Sequence, residues 1–348
     1  MELTLATGIM VAVTGSIFTM VNPTQGAFRV QPEVADMQQR LRVGVDMLHK
    51  DLVMAGAGTY SGAAVGALSN FFAPVLPYRT GLVNSDPAAG VYYRPDAISM
   101  TYVPNTASQT TISSPMPNTS AEIKVNALPG CPSNDPLCGF KTGQSILIFD
   151  TSGASDTFTI TNVQSNALHL QHKGQQLSKA YGTDTFIAQA ETHTYYHNST
   201  TAQLFHYDGA SSDLPLVDNV VGLTFRYFGT QQPPTAPKPA IGTANCLYDI
   251  GGNTLLPTLP GGDGSLVELT QTLLTDGPWC GTTNQFDADL YRIRKIRVDL
   301  RVQVGAEDLR GTDPLFFRRP GRASEGTRMV PDFELSFEVT PRNMNLMR

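Results

Sequence analysis

The sequence predicts an α+β protein in which a long N-terminal helix packs on a mainly antiparallel, β-rich head. Three observations favour this class. The nineteen residues from Leu3 to Val21 carry no charge, as expected for a helix in an apolar environment. From Val34 to Ala55, apolar residues recur every three or four positions, which indicates an amphipathic helix. After Gly58, apolar and polar residues alternate, which is typical of strands with one buried face.

The amino-acid composition is typical of a folded, turn-rich protein. Only 16% of the 348 residues are charged, against about 25% in typical soluble domains. Glycine and proline (31 and 24 residues) indicate many turns. The net charge of −6 and the 41% hydrophobic content exclude a disordered chain. The net negative charge also disfavours a general nucleic-acid binder, which needs positive charge to attract phosphates. No specific nucleic-acid partner is predicted.

The apolar run is close to the roughly 20 residues that span a bilayer core. Its threonine and glycine residues lower its hydrophobicity, so it is only a marginal membrane span. A signal peptide begins with basic residues, whereas here Glu2 stands directly before the run. A carboxylate at the edge of a membrane helix is unfavourable unless it is paired. We therefore predict a membrane-spanning helix over residues 1–22, with Glu2 as a functional residue.

A second, amphipathic part of the helix is predicted over residues 23–57, followed by a β-rich head over 58–348. Pro23 and Gly26 are expected to break or kink the helix, and Pro32 to open its second part. Gly56 and Gly58 are expected to end it. The predicted apolar stripe consists of Val34, Met37, Leu41, Val45, Leu48, Leu52 and Ala55.

Alternating runs predict three strands of the head. The first run is Val221, Leu223, Phe225, Tyr227, and the last is Phe333, Leu335, Phe337, Val339. The longest run is predicted to face the core; it comprises Ile296, Val298, Leu300, Val302 and Val304. Upstream in the same strand, Tyr291 and Ile293 alternate in the opposite phase, so a β-bulge is predicted near Arg294 and Lys295. Residues 146–149 predict a strand buried on both faces, and 193–209 a hairpin turning at 198–201. Residues 103–136 and 229–265 are predicted to be surface loops.

Four cysteines in loop-rich segments favour disulfides and an oxidising compartment. They allow three pairings, among which sequence alone does not choose. We favour Cys131 with Cys138, because a short loop brings its ends together readily, leaving Cys246 with Cys280. A zinc site is disfavoured, since no C-x-x-C pattern occurs.

No pattern predicts catalysis. His193 and His197 lie in a strand-like segment, where their separation of about 13 Å would prevent one ion from binding both. Asp287 and Asp289 are interpreted as a solvated turn in preference to a calcium site. A basic cluster is interpreted as a charged strand face in preference to a site for DNA or an acidic partner; it comprises Arg292, Arg294, Lys295, Arg297 and Arg301. The sequence therefore predicts a protein that is not an enzyme, without a cofactor or metal.

The segment Glu2-Leu3-Thr4-Leu5-Ala6, followed by a charge-free helix, resembles the start of type IV prepilins and type II secretion pseudopilins. Residues 29–58 resemble the second half of the first helix in PilW-like minor pilins, and residues 221–228, 286–297 and 337–345 are similar again. In that family, cleavage follows a glycine and the glutamate is fifth in the mature chain. Here only Met1 precedes Glu2, so we expect the leader and the first mature residues to be absent from this sequence.

The resemblance implies a minor pilin, a structural and assembly subunit of a type IV pilus-like filament that Glu2 holds in register. Its implied partners are other major and minor pilins, the inner-membrane assembly platform, and prepilin peptidase acting on the precursor. Its implied location is the bacterial inner membrane with the head in the periplasm, then the pilus or cell surface. One alternative is a type II secretion minor pseudopilin, although the head is large for one. The other is a membrane-tethered periplasmic binding module or hydrolase.

Overall fold

The computed structural model describes residues 2–58, 66–80, 93–104, 108–261, 264–281, 285–324 and 328–345, with the backbone alone for 20–27. Helix α1 spans Glu2–Met54. Its backbone stays helical across Pro23 and Pro32, so the predicted break and the predicted new start are wrong. Each proline removes one amide donor, and one missing bond does not outweigh the helical turns on either side. The kink at Pro23 stays a prediction.

The helix is followed by a body whose regular secondary structure is mainly β-strand. In the described part of the chain the strands are β1 (Val75–Leu76), β2 (Ala97–Tyr102), β3 (Gln109–Thr111), β4 (Glu122–Lys124), β5 (Ser145–Phe149), β6 (Ser155–Thr159), β7 (Asn162–Gln164), β8 (His169–Gln171), β9 (Phe186–Gln189), β10 (Glu191–Asn198), β11 (Gln203–Tyr207), β12 (Asp213–Asp218), β13 (Val220–Gly229), β14 (Val267–Leu269), β15 (Trp279–Cys280), β16 (Phe286–Asp287), β17 (Ile293–Val302) and β18 (Phe333–Val339).

Two larger sheets lie against the helix. One has the order β1-β2-β10-β11-β12, and the other has the order β14-β13-β17-β18. A third sheet, β3-β9-β5-β6, and two small ones, β4-β8-β7 and β15-β16, complete the body. Among the described residues every strand pairing is antiparallel, which confirms the predicted α+β class with a mainly antiparallel head.

The second part of α1 packs on the main core through the predicted stripe. Met37, Leu41, Leu48, Leu52 and Ala55 are buried, and Val34 and Val45 pack at its margin. Gly44 lets the helix approach the sheets closely, because a Cβ there would lie 3.2 Å from a methyl of Leu300. The periodicity of the helix therefore predicted correctly which face is buried.

Strands β13 and β17 form the centre of the main core. The apolar residues of their two predicted runs are buried, and Leu300 pairs with Leu223 on one side and Leu335 on the other. The register shifts where Phe228 pairs with Lys295 but Gly229 pairs with Ile293, so Arg294 is the extra residue of the predicted bulge. Tyr291, assigned to the same strand from its alternation, instead lies in a 3-10 helix, Ala288–Arg292.

A second core lies between the β3-β9-β5-β6 sheet and the β4-β8-β7 sheet. Strand β5 separates the two cores: Leu147 and Phe149 belong to the main core, and Ile146 and Ile148 to the second. This confirms the prediction of a strand buried on both faces. The surface loop predicted over 103–136 is wrong in part, since β3 and β4 lie within it and Ile123 is fully buried. These short strands pair with residues 45 or more positions away, which local patterns do not reveal.

The four cysteines form the favoured pairs. Cys131 and Cys138 are bonded with their Cα atoms 5.7 Å apart, and Cys246 and Cys280 with theirs 5.1 Å apart. The first bridge closes a loop beside the second core, where Cys131 packs. The second ties the 229–265 segment to strand β15, where Cys280 is buried.

We expect the double variant Cys246→Ala/Cys280→Ala to lose more stability than Cys131→Ala/Cys138→Ala. The bridges span 34 and 7 residues, and the longer loop restricts the unfolded chain more. The chain-entropy estimate is about 4 kcal/mol for the long loop against about 2 kcal/mol for the short one. Guanidinium unfolding of both variants checks this, and equal losses would contradict it.

Candidate functional site

The first third of α1 is the most unusual surface of the molecule. Glu2–Thr19 is long and apolar enough to cross a membrane, and none of it is buried against the rest of the chain. Leu3 is 81% exposed, and Met10, Val11 and Phe18 are exposed to a similar extent. Such a contiguous apolar surface is rare in water and marks a site for lipid or for other helices. By length and composition this segment is a membrane anchor or a signal sequence.

Four hydroxyl side chains of this segment form hydrogen bonds within the helix. The hydroxyl of Thr7 donates to the carbonyl of Leu3 at 2.9 Å, and that of Thr14 donates to the carbonyl of Met10 at 2.6 Å. Ser16 and Thr19 donate to carbonyls one turn earlier in the same way. The residues that make the span marginal by hydropathy therefore present no unsatisfied hydroxyl to an apolar environment.

Glu2 lies in the first turn of α1, at the edge of the exposed apolar segment. A carboxylate in the first turn interacts favourably with the helix dipole. Its side chain is exposed and has no residue of the head beside it among the described contacts.

A buried polar cluster marks the place where the last turn of α1 docks on the head. We call it the junction cluster; it contains Asp51, Tyr102, Glu191, His193, Tyr195 and His206. Asp51 is 5% exposed and accepts a hydrogen bond from the Tyr195 hydroxyl at 2.6 Å. Strands β10 and β11 present His193, Tyr195 and His206 on the face that α1 covers.

The histidines of the junction cluster contact each other. His193 Nδ1 lies 2.7 Å from His206 Nε2, and the two rings are nearly parallel, with an interplanar angle of 15° and their centroids 4.9 Å apart. Burial, with His193 nearby, lowers the pKa of His206, so its ring is neutral at pH 7. Burial and the Asp51 carboxylate raise the pKa of Tyr195, so its hydroxyl stays protonated.

Sequence reasoning missed the junction cluster because its residues come from separate elements. The prediction about His193 and His197 asked only whether these two share an ion. They do not: His197 Nε2 lies 2.9 Å from the carbonyl of Val220, away from the His193–His206 contact. One signal was available, since Asp51 follows Leu48 by three positions and precedes Ala55 by four, which places a carboxylate on the buried stripe.

The acidic and basic groups considered from the sequence are bonded within the head. Asp287 accepts from the backbone amides of Gly277 and Asp289, and Asp289 pairs with the buried Arg292. With Asp276 these carboxylates lie close enough to hold an ion, but Asp287 and Asp289 are already bonded to protein groups. The interpretation as a solvated turn is wrong, since both are buried.

The basic cluster is divided between the core and the strand surface. Lys295, Arg297 and Arg301 pair with Glu338, Asp299 and Asp332. These three residues form the predicted charged strand face. Arg292 and Arg294, in contrast, are buried and donate to backbone carbonyls, so their assignment to that face is wrong.

Two findings bear on where the protein is located. The N-terminal segment of α1 has the length and composition of a membrane anchor or a signal sequence. The two disulfides indicate an oxidising compartment outside the cytoplasm. No protein-family model, no curated protein and no solved structure matches this chain.

Proposed function

We propose that this protein is a minor pilin, a structural and assembly subunit of a type IV pilus-like filament. One observation carries the proposal: a single helix packs on the head from Val30 onward, whereas its Glu2–Thr19 segment is exposed. An isolated apolar helix is unstable in water, so the bare part needs lipid or neighbouring helices. A filament subunit uses both, first in the inner membrane and then in a helical bundle.

The resemblance at Glu2-Leu3-Thr4-Leu5-Ala6 supports this assignment. In a mature subunit of the resembled family, the α-amine lies a few residues before the glutamate. Helices that stack with a stagger bring the carboxylate of one subunit near the amine of the next. Inside an apolar bundle, leaving either charge unpaired costs several kcal/mol. Glu2 would therefore select the correct register when a helix docks.

We expect Glu2→Ala to insert in the membrane and to fold its head but to enter the filament or its assembly complex poorly. The substitution keeps the apolar segment intact and removes only the carboxylate. Membrane fractionation measures insertion, and co-purification with the other pilins measures assembly. Asp46→Ala is the matched control, since Asp46 is an exposed carboxylate on the same helix, within its docked part.

The outcomes separate the proposed functions. Loss of assembly in Glu2→Ala, with normal assembly in Asp46→Ala, supports the filament subunit. Normal assembly of Glu2→Ala would overturn the register argument and favour a membrane-tethered periplasmic binding module or hydrolase. A type II secretion minor pseudopilin predicts the same result as a pilin, and the neighbouring genes, for pilus or secretion components, distinguish these two.

The proposal also assigns partners and a location. Other major and minor pilins would contact the bare helix, the inner-membrane assembly platform would extract it, and prepilin peptidase would process the precursor. The head would lie in the periplasm and then on the pilus or the cell surface. The disulfides fit that route because each compartment on it is oxidising.

A further inference from the structure

The junction cluster brings three metal-binding side chains to one point. Asp51 comes from the last turn of α1, His193 from β10 and His206 from β11. One ligand atom from each lies within 4.8 Å of the others. His193 Nδ1 lies 2.7 Å from His206 Nε2 and 3.8 Å from Asp51 Oδ2. The side chain of His193 is 19% exposed, so solvent reaches the cluster from that side.

The surrounding hydrogen bonds set the tautomer of His193. The Tyr102 hydroxyl has one hydrogen, which it donates to Glu191 Oε2 at 2.9 Å. Its oxygen, 3.1 Å from His193 Nε2, therefore accepts the Nε2 hydrogen. The lone pair of His193 Nδ1 then accepts the hydrogen of His206 Nε2, and Asp51 Oδ2 lies 3.8 Å from the same nitrogen. A histidine whose outer nitrogen donates to a carboxylate-linked partner is the usual arrangement at metal sites.

The carboxylate of the cluster is also held in place. Asp51 Oδ2 accepts from the buried Tyr195 hydroxyl at 2.6 Å, which orients the carboxyl group toward the two imidazoles. Tyr195 pairs with His206 in the β10–β11 ladder, so the same register positions the orienting hydroxyl and the second imidazole. The three candidate ligands are thus fixed by strand pairing and hydrogen bonding rather than by a mobile loop.

We propose that Asp51, His193 and His206 bind a transition-metal dication, with Zn²⁺ as the reference ion. Two imidazole nitrogens and one carboxylate oxygen suit zinc and similar ions, whereas calcium and magnesium take oxygen ligands. Three protein ligands leave a fourth position for water. The site goes beyond the filament proposal and does not depend on it.

Binding of an ion requires all three side chains to shift, since the Asp51 carboxylate, 3.8 Å from His193 Nδ1, must also move closer to the nitrogens. Zinc–nitrogen bonds of about 2.0–2.1 Å at a tetrahedral angle place two nitrogens about 3.3 Å apart. The histidine nitrogens are 2.7 Å apart, so the rings must separate by about 0.6 Å. The hydrogen on His206 Nε2 is replaced by the ion, and a hydrogen is taken up at Nδ1 of the same ring. Both imidazoles stay neutral, and no net proton is released.

The proposed ion would join the end of α1 to the β10–β11 hairpin. Asp51 is the only one of the three ligands that belongs to the helix, so the bond to it closes a link between helix and head. An ion that binds only the folded state stabilises it by mass action. Zinc should therefore raise the melting temperature of the full chain.

The test uses the detergent-purified full chain, stripped with a chelator and then equilibrated with ZnCl₂. After removal of free metal, elemental analysis is expected to give about one zinc per chain and calorimetry a higher melting temperature. His206→Gln is expected to lose both effects. His197→Gln is the matched control, since His197 lies on the same strand and bonds to Val220, and it should keep both.

A second variant keeps the test decisive if His206→Gln misfolds. Glu191→Gln keeps all three ligands. It removes the charge of the carboxylate that accepts from Tyr102, and Tyr102 in turn holds His193. Zinc affinity should therefore fall by about 10-fold to 100-fold. Wild-type protein that retains no zinc overturns the proposal. So does equal zinc retention by wild type, His206→Gln and Glu191→Gln, which would place the ion elsewhere.

Discussion

Replacing Leu300 by aspartate is expected to unfold the head. Leu300 is fully buried between Leu223 and Leu335 of the neighbouring strands, and the backbone of Gly44 passes over its methyl groups. An aspartate there would place a carboxylate in the apolar contact between helix and sheet, with no partner. The loss should reach about 4–5 kcal/mol or more, comparable with the total stability of many domains.

Circular dichroism and guanidinium unfolding measure this effect. Leu315→Asp is the matched control, because Leu315 is 80% exposed and the same substitution there should change stability by less than about 0.5 kcal/mol. If Leu300→Asp melted like the wild type, β17 would not face the core as described.

The second large effect is expected for Arg292→Met. Arg292 is fully buried, pairs with Asp289, and donates to the carbonyls of Gln231 at 2.8 Å and Pro257 at 2.6 Å. It thereby holds the 229–265 segment against the main core; after Gly229, the described residues of this segment form no strand. Methionine fills similar space but removes the partner of the buried Asp289 carboxylate and of the Pro257 carbonyl. The Gln231 carbonyl keeps its bond from the Leu259 amide. The loss should be about 3–5 kcal/mol.

The same variant should have a characteristic pH dependence. Burial raises the pKa of Asp289 to about 6, although Arg292 opposes the shift. Without Arg292 the pKa rises further, so the folded state binds this proton more tightly than the unfolded chain. The stability lost in Arg292→Met should therefore be smaller at pH 5 than at pH 8.

Chemical denaturation at the two pH values tests the sign. Arg297→Met is the control, since Arg297 is 36% exposed and pairs with Asp299 at the strand surface. That variant should lose less than about 1 kcal/mol at either pH. A larger loss for Arg292→Met at pH 5 than at pH 8 would contradict the role assigned to Asp289.

Local periodicity predicted the parts of the fold that one element determines. The stripe from Val34 to Ala55 and the alternation from Ile296 to Val302 depend only on helix and strand geometry, so each buried face was predicted correctly. The bulge at Arg294 was also predictable, because an extra residue changes the phase of the alternation.

Features that depend on distant pairing were not predictable in the same way. Strand β4 pairs with β8, and its three residues have no periodicity long enough to recognise. The junction cluster forms only when α1 packs on the head and β10 pairs with β11 in the observed register. No spacing in the sequence therefore predicts that Asp51 lies beside His206. The burial of Arg292 was missed because its partners are carbonyls from a segment assigned to a surface loop.

Strand β5 has a consequence for cooperativity. Since alternate side chains of this one strand belong to the two cores, neither core can lose its packing without exposing part of the other. Strand β9 behaves alike, with Ile187 in one core and Ala188 in the other. A unit with its own apolar centre is usually a separable domain. Here we expect the two cores to unfold together, because each shares strands β5 and β9 with the other.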